Sequence, residues 1–215
     1  MSDDRARVLA RVRAALARSP SRAPMPEYPD ELVSPREDAG APLESVFADR
    51  LAQAGGRSFT DPAELGRWLA REGHLRGYCD PALWSELAPA FPARIAVETR
   101  FAKGRADEYA FGVTRAAAAI AETGTVVLED RSTPRRLAAL APWVHVAVVR
   151  RAAIHARLVD ALRALGTSAP GASGEPRGAD PYVVWCTGPS KTADVEGILI
   201  HGVHGPGEQV ALVLS

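Results

Sequence analysis

Residues 144–166, VHVAVVRRAAIHARLVDALRALG, hold the pattern on which the fold turns. VHVAVV is a short apolar run rich in β-branched residues, which reads as a strand. After two arginines the period changes. Ile154, Leu158, Leu162 and Leu165 recur at helical spacing, so 152–165 reads as a helix. A short apolar strand leading into a helix is the unit of α/β folds with a mostly parallel sheet.

The same alternation extends both ways along the chain. Upstream, RAAAAIAE reads as a helix ending near Gly124, followed by TVVLE as a buried strand. Downstream, Gly166–Asp180 is a Gly/Ser/Pro loop. YVVWC and QVALVL are two further strands, with a helix expected over 192–201 between them. Nearer the N-terminus, LESVFADRLAQAGG is a helix closed by Gly55. DPAELGRWLAREG carries Asp61 as N-cap, Pro62 at N1, Glu64 at N3 and a closing Gly73. LRGYC and ARIAVE read as strands, and Asp80-Pro81 opens another helix, PALWSELAPAF. No internal repeat is visible.

A different kind of segment precedes this. Residues 5–17 place Val8, Leu9, Val12 and Leu16 on one helical stripe among arginines. Pro20, Pro24, Pro26, Pro29, Pro35 and Pro42 then exclude a regular helix or central strand, so the segment reads as an extended linker. The expected organisation is residues 1–40 as helix and linker, and 41–215 as the α/β domain. The helical arm either folds back on its own domain or docks on a partner or neighbouring subunit, as in a homo-oligomer.

Composition narrows the function classes. The chain has 215 residues, 47% hydrophobic and 24% charged, which suits one core-forming domain plus a tail. Lys+Arg and Asp+Glu both number 26, so net charge gives no pointer to nucleic acid. No apolar run approaches the roughly 18 residues of a membrane span. The N-terminal stretch lacks the apolar core of a signal peptide, and Asp3 and Asp4 argue against a transit peptide, so a cytoplasmic location is expected. Two cysteines, Cys79 and Cys186, imply no disulfide framework and are too few for an ordinary four-Cys iron–sulfur site.

Two motifs carry possible chemistry. In CTGPSKTADVEG, Gly188 and Pro189 set a tight turn, and Ser190 or Thr192 could cap the expected helix. Free N–H groups there could hold an anion, with Lys191 adding charge. Ser190 stands where a P-loop needs Gly, and Asp194 and Glu196 would repel a phosphate, so nucleotide binding is not expected. About ten residues of helix would span roughly 15 Å, which separates Ser190 from His204 and Gly205. His201 and His204 lack the further ligands of a zinc site. The second motif is IAETGTVVLE. Gly124 permits close backbone approach, Thr123 and Thr125 offer hydroxyls, and Glu122 offers a carboxylate. A helix-to-strand junction sits at the opposite end of a parallel sheet from strand-to-helix loops. The two motifs would therefore meet only if the sheet order or an antiparallel strand brought them together.

AIAETGTVVL at 119–128 and TGPSKTADVEGILIHGVHGPGE at 187–208, in this order, resemble the LUD-domain family in its lactate-utilisation C branch. The resemblance implies the fold shared by CoA-transferases and sugar-phosphate isomerases, with an N-terminal helical arm. It implies a subunit acting with two iron–sulfur partner proteins to oxidise L-lactate to pyruvate, without a cluster or other cofactor of its own. Thr123, Gly124 and Thr125 match the first family motif. Gly188, Pro189, Ser190, Thr192, Asp194, His204 and Gly205 match the second. No catalytic residue carries over. The alternatives are a stand-alone enzyme like the fold's relatives, where Glu122 would take up CoA as a thioester, or a regulator sensing a small carboxylate.

Overall fold

The computed structural model describes residues 2–18, 40–129, 136–166, 183–193 and 198–215. The Pro-rich linker, most of the 166–180 loop and Asp194 lie outside the described residues. The chain divides into two units, Met1–Ala39 and Gly40–Ser215. In the first, α1 (Ser2–Ala17) leaves Val8, Val12 and Leu16 exposed.

The second unit begins with α2 (Leu43–Gln53), β1 (Arg57–Phe59) and α3 (Pro62–Arg71). The Asp61 carboxylate accepts the Ala63 amide at 2.8 Å, so the N-cap expected from sequence forms. β2 (Arg76–Cys79), α4 (Pro81–Leu87), β3 (Ala96–Glu98) and β4 (Phe111–Arg115) follow. Next come β5 (Ala118–Ile120), β6 (Thr125–Glu129), α5 (Arg136–Leu140), β7 (Val144–Arg150), β8 (Ile154–His155) and α6 (Leu158–Gly166). The chain closes with β9 (Val183–Cys186), β10 (Lys191–Thr192), β11 (Ile200–His201) and β12 (Glu208–Leu214).

The central sheet has the order β1-β12-β7-β4-β2-β3, and every pairing in it is parallel. Apolar side chains leave both of its faces. One face buries Leu65, Trp68 and Leu69 of α3 with Leu83 and Leu87 of α4. The other buries Val46, Phe47 and Leu51 of α2 together with Ala119 and Val126 of a second sheet, ordered β8-β5-β6-β9. The far side of that sheet packs Ile120 and Val127 against Ala161 of α6. The expected mostly parallel α/β architecture is therefore present, with helices on both sides.

Three helices read from the sequence form differently. RAAAAIAE becomes the end of β4, then β5, then a 3-10 turn, Ala121–Thr123. Its alanines favour a helix in isolation. Here Ala119 and Ala121 are buried between the two sheets, where larger side chains would hold them apart, and Ala118 is buried on the far side towards α6. The helix of 152–165 is confined to α6, because residues 154–155 pair with β5 as β8. The third difference matters most for the site. No helix occupies the described part of 192–201, where β10 and β11 instead pair as an antiparallel hairpin. Ile198 and Leu199 are 61% and 57% exposed, so this stretch lacks the tertiary burial that usually holds a short helix in place. The strands β1 and β4 were not anticipated from the sequence.

Candidate functional site

The site grows from the pairing of β6 with β9. These strands are antiparallel, with Val126 opposite Cys186. The start of β6 therefore lies beside the end of β9, and Thr125 meets Thr187 there. Their hydroxyl oxygens are 2.6 Å apart, and the Thr123 and Thr125 hydroxyls are 2.7 Å apart. The Thr-Gly-Thr and Gly-Pro-Ser motifs are thus one cluster, joined through an antiparallel strand, one of the two arrangements the sequence left open.

The C-terminal turn of α2 is the surface on which both motifs rest. Gly124 has φ +65°, and a Cβ there would strike the Leu51 amide. Gly188 has φ +76°, and a Cβ there would lie 2.5 Å from the Ala54 carbonyl oxygen. Both positions need glycine for conformation and for contact. The Lys191 ammonium donates to that same Ala54 oxygen at 2.6 Å. It supplies positive charge where α2 presents its negative end.

The hairpin brings the second half of the long motif back onto the first. The Ser190 amide donates to the Pro206 carbonyl at 2.8 Å, and the Gly202 amide donates to the Ser190 carbonyl at 2.9 Å. A Cβ on Gly205 would sit 3.4 Å from that of Ser190. The separation expected from an intervening helix therefore does not exist. Gly202 and Gly207 lie against the indole of Trp143, the residue before β7, where any Cβ would clash. Thr192 sits in β10 opposite Ile200, and His204 is exposed on the turn.

Glu122 is engaged in structure. Its carboxylate accepts the amide of Leu158, the first residue of α6, at 2.6 Å. That bond holds the start of a helix, where negative charge is favourable.

This cluster lies at the amino ends of β1, β7 and β12, since Gly55, Trp143 and Pro206 each precede one of them. A strand-to-helix reading of CTGPSKTADVEG implies the carboxyl edge of the sheet, where such folds hold ligands. The carboxyl edge carries residues that reasoning missed. All strands stay parallel, but the order in which they are added reverses between β2 and β4, with β3 on one side of β2 and β4, β7 and β12 on the other. There the buried Asp80 carboxylate caps α4 and accepts Arg115 at 3.0 Å. Arg150, ending β7, binds Glu86 through two nitrogens at 2.6 and 2.9 Å. Asp80 was visible as a helix cap, but its arginine is thirty-five residues away in sequence.

The two cysteines are free thiols. Burial, with Asp80 beside it, pushes the Cys79 thiol up to about 12, and burial also raises Cys186. Both thiols are therefore held in the protonated, unreactive form. Among the described residues, no group of three or more His, Cys, Asp or Glu side chains is placed to hold a metal ion. No helix among them is long and apolar enough to cross a membrane.

A family model for the LUD domain matches residues 63–214. Among curated relatives, lactate utilization protein C of Deinococcus radiodurans is 34% identical over 104 residues, covering 48% of this chain and 45% of that protein. Lactate utilization protein C of Bacillus subtilis is 30% identical over 111 residues, covering 52% and 45%. The matched stretch therefore spans less than half the length of these relatives. A solved DUF162-family protein from Deinococcus radiodurans is similar in fold. Its TM-score is 0.55 at 24% identity, over 80% of this chain and 96% of that one.

Proposed function

The chain belongs to the LUD-domain family, and from that premise we propose that it serves in lactate utilisation. Its role is that of a cluster-free subunit working with two iron–sulfur partner proteins. Together they oxidise L-lactate to pyruvate, releasing two electrons to the partners' clusters and two protons. The observation that carries this reading is the kinship with proteins named for lactate utilisation. The cysteine count supports the division of labour, because Cys79 and Cys186 are too few for a four-cysteine cluster.

Within the chain, the cluster at the amino edge is the proposed place for a small carboxylate. Thr123, Thr125 and Thr187 supply hydroxyls there. Gly124 and Gly188 let their loops sit down on α2. Ser190, Thr192, His204 and Gly205 frame the neighbouring hairpin, with Lys191 as the nearby cation and Asp194 in its connection.

Deleting the gene in its own organism tests the role. Growth on L-lactate should fail and growth on pyruvate should persist, with lactate growth restored by the intact gene. The purified chain alone should be iron-free and should not oxidise lactate, while affinity capture from lactate-grown cells should bring down two iron–sulfur proteins. Unimpaired growth on L-lactate in the deletion strain would sink the proposal.

A further inference from the structure

The apolar stripe of α1 joins no core among the described residues. Val8, Val12 and Leu16 are 57%, 47% and 53% exposed, and none of the buried clusters draws on a residue of α1. A single helix of this length gains most of its stability from laying its apolar face against something else. Both flanks of the stripe are charged. Arg13 stands one turn from Leu9 and one turn from Leu16, while Arg11 stands one turn from Val8 on the other side. Arg7 pairs with Asp4 at 2.6 Å, whereas no carboxylate among the described residues meets Arg11 or Arg13. The helix thus presents an apolar seam between two guanidinium groups whose charge is unmatched.

We propose that α1 is a docking helix for a partner protein that offers an apolar groove with a carboxylate-lined rim. The proposal rests on the reading of the chain as a subunit of an assembly, and it names the element that joins the chain to that assembly. Leu9, Val12 and Leu16 follow the i, i+3, i+7 spacing by which an amphipathic helix fills a groove, with Val8 beside them. At the rim, the arginine stems lie along apolar surface while their guanidinium groups meet carboxylates. Two other occupants fit the charges and the composition less well. A second copy of α1 would set arginine against arginine along the same seam, and like charges in an interface are unfavourable. Helices that lie on a lipid surface carry Trp or Phe among their apolar residues, and Ser2–Ala17 contain neither.

The test uses full-length chains and the proteins that the parent captures from lactate-grown cells, each purified and titrated against the parent and its variants at low and high salt. Parent affinity should fall as salt is added. A chain carrying Val8→Ser, Val12→Ser and Leu16→Ser together should bind its partner about a hundredfold more weakly. Arg11→Glu with Arg13→Glu should bind about tenfold more weakly and lose the salt dependence. Arg11→Lys with Arg13→Lys keeps the charge and should bind nearly as the parent does. All these chains should melt with the parent, because α1 contributes nothing to the buried clusters. Undiminished binding by the serine or the glutamate variant overturns the proposal and leaves the assembly standing. Melting lowered by several degrees with binding intact also overturns it, and makes the stripe part of the chain's own packing. Binding of the parent but not the serine variant to phosphatidylglycerol vesicles, with partner binding unchanged, overturns it in favour of a membrane surface. Capture of no directly binding protein overturns both the proposal and the subunit reading, while the growth phenotype judges the lactate role separately.

Discussion

At the scale of single residues, His145 is the most constrained titratable group in the central sheet. It is buried in β7, between Thr114 on β4 and Gln209 on β12. The Gln209 carbonyl oxygen, 2.9 Å away, must accept from Nδ1–H, so the neutral ring receives the Thr114 hydroxyl at Nε2. Burial lowers its pKa from 6.5 to about 4, against a smaller opposing contribution from Gln209. Between those values the unfolded chain binds a proton that the folded chain refuses. Stability from this residue is therefore complete above the unfolded value and falls as pH drops towards about 4, by roughly 3 kcal/mol across the window. Thermal melts of the parent and of His145→Asn at pH 7, 6, 5 and 4 check this. The variant is expected to be weaker throughout yet to lose less on acidification. Parallel pH profiles for the two chains would show that His145 does not titrate this way. Nothing in VHVAVV announces this role, because both partners come from distant strands.

At the scale of elements, the hairpin and the α2 turn act as one support. Lys191 reaches across to Ala54 while Gly188 lies on the same carbonyl. Replacing Lys191 with Met removes that donor from an exposed position, so global stability should fall by no more than about 1 kcal/mol. Local opening should respond more strongly, since the loop loses its tie to α2. Amide exchange at Gly188, Ser190 and residue 191 should speed up while β7 and β12 stay protected. Unchanged exchange would mean that the backbone bonds of Ser190 hold the loop without help. This support was only partly legible in the sequence. The cap of α3 and the runs TVVLE and QVALVL could be read because each is local in composition. The direction of β9 could not, since an apolar run does not say which way it enters a sheet. The hairpin was hidden for a related reason. Its closing bonds run from Ser190 to Gly202 and Pro206, beyond any window in which residue periodicity operates.

At the scale of the whole molecule, the family match and the folding unit begin at different places. The match starts at residue 63, whereas the compact unit starts at Gly40. The intervening residues bury Val46, Phe47 and Leu51 against the central sheet, and supply the surface beneath Gly124 and Gly188. They also include β1, which covers one edge of β12. A chain of residues 40–215 should therefore melt cooperatively, close to the full chain, because every cluster of the core draws on residues from Val46 onward. A chain of residues 63–215 should not. It loses two fully buried large side chains, at about 3 kcal/mol or more each when their space is left empty. It also uncovers the apolar strand β12 as an open edge, an arrangement that invites aggregation. Calorimetry and light scattering on the two truncated chains measure both effects. A cooperative, monodisperse 63–215 would show that α2 is an accessory to the site rather than part of the fold. Loss of cooperativity in 40–215 would show that the first unit is needed to hold the second together.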